Sequence, residues 1–449
     1  MDRMAAGCLP VPSSAHACQG WWLFLLGSLV CSRLLRRQSD DSVPRHPADP
    51  AQLFLDLTAF ESSSLIRTFL ATSTISFYHG EGAAEIEATL RRKVAAMVSR
   101  NPWLNGTLVS TSEGVQLAYK GKPVKKSVFT AVTDKSLRST LPHEEIMERV
   151  LPNTVKRGEL CVDREEEPLF RVTLIRTAEK EIAVVCSTSH VICDGHDFYK
   201  LLTMLDENTP ARALTAQRVT GIDDAALDLI SRDASDPYDL FKWISSLAFV
   251  LRKLFLAAFA PYHRSCLLEV NLDWIAEQKR AVQPSADVPY VTTNDVVCST
   301  LLKLCGAGVG AIPYNYRGRI TGLTEDHVGN YGGILGLQPP DFTDPGTIRK
   351  SMKSFYRAIS GPMPGPFRSL FTDFAIVTNW AGFYREVSFK NCALCLHLPV
   401  KDKRGHTADT WSVIFMLSSE RIGVLLYSRF VNMDSLKRHP AFKVLEGIS

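Results

Sequence analysis

The chain has 449 residues, of which 45% are hydrophobic and 22% charged, a composition typical of globular proteins. This length exceeds one ordinary hydrophobic core and predicts two domains of about 200 residues each. The formal net charge of +4 is small for such a chain. Because no stretch combines dense Lys and Arg with interleaved aromatic residues, the sequence gives no reason to expect a nucleic-acid partner.

The eleven cysteines are scattered along the chain, and their number is odd. Cys186, Cys298 and Cys305 lie inside apolar runs, where a cysteine behaves as a small core hydrophobe. This distribution indicates a reducing, cytoplasmic compartment rather than a disulfide framework.

A zinc site could be built from Cys392, Cys395 and His397, which lie close together in the sequence. No second pair of ligands follows at the spacing of a zinc finger, and the segment alternates like a strand. We therefore expect no metal here.

Residues 1–50 differ from the rest of the chain. They contain an apolar run at 20–31, followed by Arg33, Arg36 and Arg37. A membrane-spanning helix needs about 20 residues and the core of a signal peptide ~7–15. The run is therefore an anchor, an organelle-targeting segment or an untargeted apolar leader. If it inserts, the basic residues after it keep the downstream domains in the cytosol.

The folded part of the chain is predicted to begin near Gln52. Apolar residues recur at helical spacing over 82–100, and Asn101-Pro102 ends that helix because the residue before a proline is biased away from helix. Short apolar runs predict strands at 75–78, 104–109, 168–174 and 182–186.

A polar, acidic crossover is predicted over 206–239, and a helix with a wide apolar face over 241–264. That helix is either a membrane-surface helix or a helix packed between the domains, and we favour packing because its polar face carries few charges. The second half then predicts a helix from Thr292 to Leu304 with Asn294 or Asp295 as its cap, a helix over 347–360 and a strand over 374–380.

The sequence His190-Val-Ile-Cys-Asp194-Gly195 follows the predicted strand at 182–186 and precedes a predicted helix that starts near Phe198. A histidine at a strand end can be presented to a cavity by the loop after it. The unperturbed pKa of imidazole, about 6.5, suits a general base near neutral pH. The alternative is a structural histidine that caps the strand end by hydrogen bonding.

This pattern resembles the H-x-x-x-D-G signature of the acyltransferase superfamily built on the chloramphenicol acetyltransferase fold. Its members include plant BAHD enzymes, trichothecene O-acetyltransferases and other fungal relatives, wax ester synthases and peptide-synthetase condensation domains. Two further stretches are similar to the family: Arg317-Gly-Arg319 followed by Gly329-Asn330, and Thr378-Asn379-Trp380.

The resemblance implies an α/β fold of the α+β sandwich type. Two chloramphenicol acetyltransferase-like domains would form a pseudo-dimer, with His190 in an interdomain tunnel. The expected organisation is a leader and linker at 1–50, a first domain at 51–208, a crossover at 209–265 and a second domain at 266–449.

The resemblance also implies roles for single residues. His190 would be the general base of acyl transfer, while Asp194 would point away from it and pair with Arg317. The hydroxyl of Thr378 and the indole N–H of Trp380 would donate to the oxyanion.

Gly195 would allow the close backbone turn of the motif loop. His196 has no counterpart in the family motif and is expected to be incidental. No residue is assigned to the binding of coenzyme A.

The chain departs from two branches of the family. Ser388-Phe-Lys-Asn-Cys392 stands where BAHD enzymes carry Asp-Phe-Gly-Trp-Gly, and Ser189 replaces the first of the two histidines of condensation domains. The chain therefore resembles the broader fungal and microbial branch.

The expected function is transfer of an acyl group from acyl-CoA, a cosubstrate and not a tightly bound cofactor, to a hydroxyl or amine of a small molecule. Such an enzyme of secondary metabolism is expected to act as a monomer. One alternative is a catalytically silent member of the fold that binds a small ligand or a protein. Another is a membrane-associated acyltransferase of the lipid or wax-ester type, touching the membrane through 20–31 or 241–264.

Overall fold

A computed structural model describes residues 52–80, 83–112, 114–121, 128–177, 180–222, 225–226, 239–260, 263–402 and 408–445. The predicted leader at 1–50 lies outside these residues, as does part of the crossover. No helix among the described residues is both long enough and apolar enough to cross a membrane.

The chain divides into two compact units, each of which is held together mainly by contacts within itself. The larger holds the described residues of Arg45–Pro237, Pro261–Pro362 and Thr372–Ser449, and therefore both predicted halves of the chain. The smaller holds those of Tyr238–Ala260 and Met363–Phe371.

The strands of the described chain are β1 Gln52–Leu55, β2 Thr72–Gly80, β3 Thr107–Thr111, β4 Gly114–Lys120, β5 Phe129–Thr133, β6 Phe170–Arg176, β7 Glu181–Thr188, β8 Arg264–Val270, β9 Val309–Asn315, β10 Gly332–Leu337, β11 Phe374–Asn379, β12 Cys392–Pro399, β13 Thr410–Met416, β14 Ile422–Ser428 and β15 Phe442–Val444.

The α-helices that lie within the described residues are α1 Ala59–Ser62, α2 Ser64–Arg67, α3 Ala83–Arg100, α4 His143–Val150, α5 Gly195–Thr203, α6 Asp239–Ile244, α7 Leu247–Phe259, α8 Leu272–Ala281, α9 Thr293–Leu304, α10 Pro339–Phe342, α11 Pro345–Ser354, α12 Pro366–Ser369 and α13 Met433–Arg438. Short 3-10 helices lie at Pro102–Asn105, Leu151–Asn153, Gly158–Leu160 and Ala381–Phe383.

The described residues of the larger unit form three sheets. Five strands pair in the order β12-β2-β7-β6-β5, seven in the order β10-β9-β11-β13-β14-β8-β15, and three in the order β1-β4-β3. Both large sheets are mixed, since β5 runs parallel to β6 and β11 runs parallel to β9 and β13.

The five-stranded sheet contains one strand from the end of the chain. β12 pairs antiparallel with β2, in the register Leu398 to Ile75. Since β2 also pairs antiparallel with β7, the end of β12, the start of β2 and the end of β7 lie side by side at one end of the sheet. The domain boundaries stay a prediction, but this pairing joins the two predicted domains.

The strands predicted around the motif agree with the structure. The run at 182–186 lies within β7, whose residues from Ile182 to Thr188 are all buried, as expected for a central strand. The strand predicted at 374–380 is β11, which ends one residue earlier, at Asn379.

Two helix predictions were too long. The helix over 241–264 is two helices, because Ser246 accepts a hydrogen bond from the backbone of Phe249 and caps α7. Arg264 already belongs to β8. The helix over 347–360 ends at Ser354, where Phe355 takes a left-handed conformation with φ 55° and closes the last turn.

The predicted cap of α9 was also wrong by two or three residues. Thr292 is the N-cap, and its hydroxyl accepts from the backbone of Asp295. Asp295 accepts in return from the backbone of Thr292, which makes a reciprocal capping box.

The described cysteines have free thiols. Cys186 and Cys298 are buried, and burial raises the pKa of each thiol far above its usual value. Cys305 is half-buried. Cys392, Cys395 and His397 lie along one strand, and His397 hydrogen-bonds instead to Ser76 and Tyr199.

Candidate active site

His190 lies two residues beyond the end of β7, at the start of a tight turn. Ser189 donates its backbone N–H to Leu169, and Ile192 donates back to Ser189. The imidazole meets the ring of Phe69 edge to face, with centroids 5.6 Å apart. Its Nδ1 atom is buried and makes no hydrogen bond to any described residue.

The protonation state of His190 suits a base. Burial, followed by the nearby positive charge of Lys401, holds the pKa of His190 below its ordinary value, while the carboxylate of Asp194 opposes this shift. His190 is therefore neutral at pH 7 and able to accept a proton.

Asp194 is the N-cap of α5, not a partner of the imidazole. Its Oδ1 accepts from the backbone N–H of Asp197 at 3.1 Å, and its Oδ2 accepts from Arg317 at 2.7 Å. Burial alone would raise the pKa of Asp194, but the Arg317 guanidinium outweighs burial and lowers it. The carboxylate is therefore charged and holds the start of the helix.

The Arg317 side chain is fully buried and binds two carboxylates at once. Nη1 donates to Asp194, and Nη2 donates to Asp197 at 2.8 Å. The same guanidinium donates to the carbonyls of His327 at 2.8 Å and Gly329 at 2.7 Å. A planar group with five donors can join a helix start to two loop carbonyls in this way.

A second buried ion pair holds the other side of the histidine loop. Arg218 donates to Glu61 at 2.8 Å, and Glu61 is fully buried. Arg218 also donates to the carbonyl of Ile192 at 2.9 Å. Asn330 donates from its side chain to Glu61 and, at 2.8 Å, to the carbonyl of His190. The backbone of the motif is thus fixed from two directions.

Asp194, His196 and Asp197 offer ligand atoms within 4.8 Å of one another, the spacing of a cation site. Both carboxylates already bind Arg317, so a positive charge lies where a cation would. His196 was expected to be incidental, but its ring bonds to Asp197 at 3.2 Å and to Glu325 at 2.6 Å. We interpret this cluster as an ion-pair network.

Gly195 has a different role from the predicted one. It is the first residue of α5, and its backbone is not left-handed. A β-carbon at this position would lie 3.2 Å from the indole Nε1 of Trp380. The glycine therefore permits close packing of Trp380 against the motif, not a special turn.

Trp380 is buried at 7% exposure, and its backbone N–H donates to Ile414. The indole Nε1 donates no hydrogen bond to any described residue. The ring also meets Tyr199, with centroids 6.2 Å apart. Trp380 thus brings a free N–H donor to the helix start that follows His190.

Thr378 lies two residues earlier on β11, opposite Val413 of β13. It is half-buried. Between the two, Asn379 donates to Asn294 at 2.8 Å, which ties the strand end to α9. Thr378 and His190 form no hydrogen bond with each other, so the predicted role of Thr378 depends on the resemblance alone.

Lys401 is a site residue that the sequence did not reveal. It follows β12, is only 7% exposed and donates to the carbonyl of Ala71 at 3.4 Å. Its Nζ lies 5.4 Å from the ring centroid of Trp380 and 5.4 Å from that of Trp411. No sequence signal distinguishes this lysine, because its neighbours come from distant parts of the chain.

No protein-family model matches the sequence, and no curated protein matches it. Solved structures do match the fold. F. graminearum TRI101 complexed with ethyl coenzyme A has a TM-score of 0.56 at 11% identity, covering 86% of this chain and 97% of that one. The complex of that protein with coenzyme A and deoxynivalenol has a TM-score of 0.54 at 12% identity and the same coverage.

F. sporotrichioides TRI101 complexed with coenzyme A and T-2 also matches, with a TM-score of 0.53 at 10% identity, over 86% of this chain and 96% of that one. Likeness at such low identity shows the fold. The chain therefore has the two-domain chloramphenicol acetyltransferase-like fold that its motifs resemble.

Proposed function

We propose that this protein transfers an acyl group from a coenzyme A thioester to a hydroxyl or amine of a small molecule, with His190 as the general base. The observation that carries the proposal is the state of His190. A neutral imidazole lies at a strand end, with its Nδ1 unbonded to the described protein and its loop held by two buried ion pairs. The fold is that of coenzyme A-dependent acyltransferases, which supports the same reaction.

In the proposed step, the acceptor oxygen or nitrogen attacks the thioester carbonyl carbon while its proton passes to His190. The carbonyl electrons move onto the carbonyl oxygen, which becomes an oxyanion. When that tetrahedral intermediate collapses, the carbon–sulfur bond breaks and the proton moves from His190 to the sulfur. The products are the acylated acceptor and free coenzyme A, so no covalent enzyme intermediate is needed.

The oxyanion would need hydrogen-bond donors. Trp380 offers an indole N–H, and Thr378 offers a hydroxyl on the adjoining strand end. Coenzyme A is a cosubstrate in this scheme. The TRI101 structures contain coenzyme A or ethyl coenzyme A, which supports that choice of donor.

The test is a panel of acetyl-, malonyl- and long-chain acyl-CoA donors incubated with a mixed library of alcohols and amines. Free thiol release and mass spectrometry of the acceptors are followed together. We expect thiol release that depends on the acceptor, with one acylated product per thiol. A protein that binds ligands but releases no thiol with any donor is instead a silent member of the fold.

A second proposal concerns membranes, and it depends on the smaller unit. Four side chains spaced four residues apart on α7 are exposed: Leu247 by 72%, Leu251 by 50%, Phe255 by 61% and Phe259 by 75%. These exposed side chains favour the membrane-surface alternative for this helix over packing between the domains. Within the same unit, Phe367 and Phe371 add exposed rings beside α12.

The charges of this segment suit an anionic lipid surface. From Leu240 to Leu268 the sequence has no acidic residue. Lys242 on α6 is exposed and Lys253 on α7 is half-buried, whereas Arg252 on α7 is buried. Exposed aromatic and aliphatic residues with basic neighbours are typical of helices that lie in the membrane interface. This arrangement favours a membrane-associated enzyme whose acceptor or acyl donor is lipid-like.

Vesicle flotation tests this second proposal with the full chain. Binding to phosphatidylcholine vesicles with phosphatidylserine should exceed binding to phosphatidylcholine alone, and Leu251→Glu with Phe255→Glu should abolish it. Leu272→Glu, at an exposed position of the larger unit, is the control and should still bind. Equal binding by the double variant, or self-association of the wild type without vesicle binding, contradicts the proposal.

A further inference from the structure

Three neighbouring strands of the five-stranded sheet bring Lys401 to the candidate base. Thr72 at the start of β2 pairs with Thr188 at the end of β7. On the other side of β2, Pro399 at the end of β12 pairs with Thr74, and Val400 donates to Ser73 at 2.8 Å. Lys401 and His190 therefore follow strands that finish at the same end of the sheet, and the start of β2 lies between them.

The ammonium of Lys401 lies beside aromatic rings and has no carboxylate partner among the described residues. It faces the rings of Trp380 and Trp411 at equal distances and donates to the carbonyl of Ala71, and none of the ion pairs of the described residues includes it. Aromatic faces attract a cation, but a buried ammonium without a counter-charge is energetically costly. An unpaired charge at this depth requires an explanation.

The titration of Lys401 agrees with this geometry. Burial lowers the pKa of Lys401 to about 8, so the side chain is mostly charged at pH 7 and loses its charge just above neutrality. Its charge reaches His190, whose pKa it lowers. The other titratable groups that face this pair are Asp194 on the histidine loop and Tyr427, whose hydroxyl donates to the carbonyl of Lys401. Burial keeps the Tyr427 phenol neutral by raising its pKa far above the usual value.

We propose that the Lys401 ammonium stabilises the negative oxygen that forms on the acyl carbonyl when the acceptor attacks. This inference depends on the proposed acyl transfer and adds a charged donor to it. His190 takes a proton from the acceptor, and the carbonyl electrons move onto an oxygen that pairs with the ammonium. When the thiolate leaves, the oxygen regains its double bond and Lys401 keeps its proton throughout.

In this mechanism His190 and Lys401 must differ in protonation state. His190 has to be neutral and Lys401 charged, so kcat/KM should rise with pH through the pKa of His190 and fall with pH through that of Lys401. The predicted profile is a bell whose upper limb lies near the pKa of Lys401, about 8.

Lys401→Met tests the proposal because methionine keeps the length and the apolar contacts but has no charge. We expect kcat/KM with acetyl-CoA to fall by about 10²–10³, the usual effect of removing one oxyanion donor, and the upper limb to disappear. Lys401→Arg should keep much of the rate and move the upper limb to above about pH 10, because a guanidinium stays charged there. Lys443→Met, at an exposed position on β15, is the control and should keep the wild-type profile.

A second readout does not need activity. In protein labelled with isotopic histidine, the NMR titration of His190 should move to higher pH in Lys401→Met, because a neighbouring positive charge is lost. Near-UV circular dichroism shows whether the variant keeps its packing. If Lys401→Met loses its packing, the proposal is tested by Lys401→Arg alone, through the pH at which the upper limb of its kcat/KM profile lies.

The failures of the two proposals can be told apart. An active wild-type enzyme whose Lys401→Met variant keeps full kcat/KM and the upper limb overturns the role of Lys401 and leaves the proposed acyl transfer standing. A wild type that transfers no acyl group to any acceptor overturns the proposed function and, with it, the oxyanion role. An unchanged His190 titration in Lys401→Met contradicts the electrostatic contact itself.

Discussion

Arg317 donates to Asp194 at 2.7 Å, and the two residues are separated by 123 positions in the sequence. The aspartate of the H-x-x-x-D-G pattern is thereby directed to a buried guanidinium and to the start of α5 rather than to the His190 ring. In a Ser-His-Asp triad, by contrast, the aspartate orients the imidazole. We therefore assign Asp194 the role of holding the loop in place rather than of orienting the imidazole.

Arg317→Met should be among the most destabilising substitutions in the chain. It leaves the carboxylates of Asp194 and Asp197 buried without their positive partner, which typically costs about 3–5 kcal/mol. Urea unfolding of variant and wild type measures the difference. Arg421→Met, which removes an exposed pair with Glu269, is the control and should cost less than about 1 kcal/mol. Equal losses would contradict the assigned role of Arg317.

Asp194→Asn separates loop structure from a direct His–Asp contact. We expect lower stability and lower activity, with only a slight downward shift of the His190 pKa, because the distant negative charge is lost. Histidine NMR measures that titration. A variant of unchanged stability with a strongly altered His190 pKa would indicate a dyad instead.

Gly195→Ala should damage the site more than the fold. The added methyl would lie 3.2 Å from Nε1 of Trp380, so the indole must shift by a few tenths of an ångström. We expect an activity loss of about tenfold or more, because small displacements of positioning groups have large effects on rate.

The matched control is Gly382→Ala, where an added methyl meets no atom within 4 Å. It should keep wild-type turnover. A Gly195→Ala enzyme as active as this control would show that Trp380 does not need its present position.

His143 should make the protein sensitive to acid. Both of its ring nitrogens are buried without a described partner, and burial lowers its pKa to about 4. Because the unfolded chain binds this proton near pH 6.5, the unfolded state holds more protons between about pH 6.5 and 4. Stability should therefore fall as pH falls through that window.

Replacing this histidine removes its contribution. His143→Leu should lower the pH dependence of the unfolding free energy by up to about 1.4 kcal/mol per pH unit between about pH 6 and 4.5. Urea unfolding at three pH values measures it. Identical slopes for variant and wild type would mean that His143 is not buried in its neutral form.

The sequence predicted most of what local pattern controls. The apolar run at 182–186 indicated the strand before His190, and the H-x-x-x-D-G pattern indicated the fold through its resemblance. The Arg317 position was also identified by resemblance, together with its contact with Asp194. These features are encoded in short stretches, so one sequence is enough to find them.

The supporting groups could not be found in the same way. Glu61, Arg218 and Lys401 lie 129, 28 and 211 residues from His190 in the sequence, and they meet its loop only after the sheet and its connections have formed. Each is an ordinary charged residue within its own segment. Burial and pairing, which give them their roles, are properties of the tertiary structure.

The predicted boundaries of two helices were wrong for a local reason. Ser246 and Phe355 interrupt helical patterns through a cap and a left-handed residue, neither of which changes the apolar spacing. A period-based prediction runs through such positions, since it registers apolar residues and not backbone hydrogen bonds.

Trp380→Phe tests the ranking of the groups around the oxyanion. It removes the indole N–H but leaves an aromatic ring, and Lys401 and Thr378 would still serve the oxygen. We expect a smaller loss of kcat than in His190→Ala, measured with the same donor and acceptor. A larger loss in Trp380→Phe would assign the main catalytic effect to the oxyanion donors.

The most direct test of the central claim is the turnover of His190→Ala with the protein's own acceptor, measured with acyl-CoA binding on the same sample. We predict near-normal binding of acyl-CoA and a rate lower by about 10²–10⁴, the usual contribution of a positioned general base. We also predict that, on the acid side of its pH profile, the wild-type rate falls only below about pH 6.5, because the pKa of His190 is lowered and the imidazole stays neutral down to a lower pH. Near-full turnover by His190→Ala would contradict the assignment of His190 as the base.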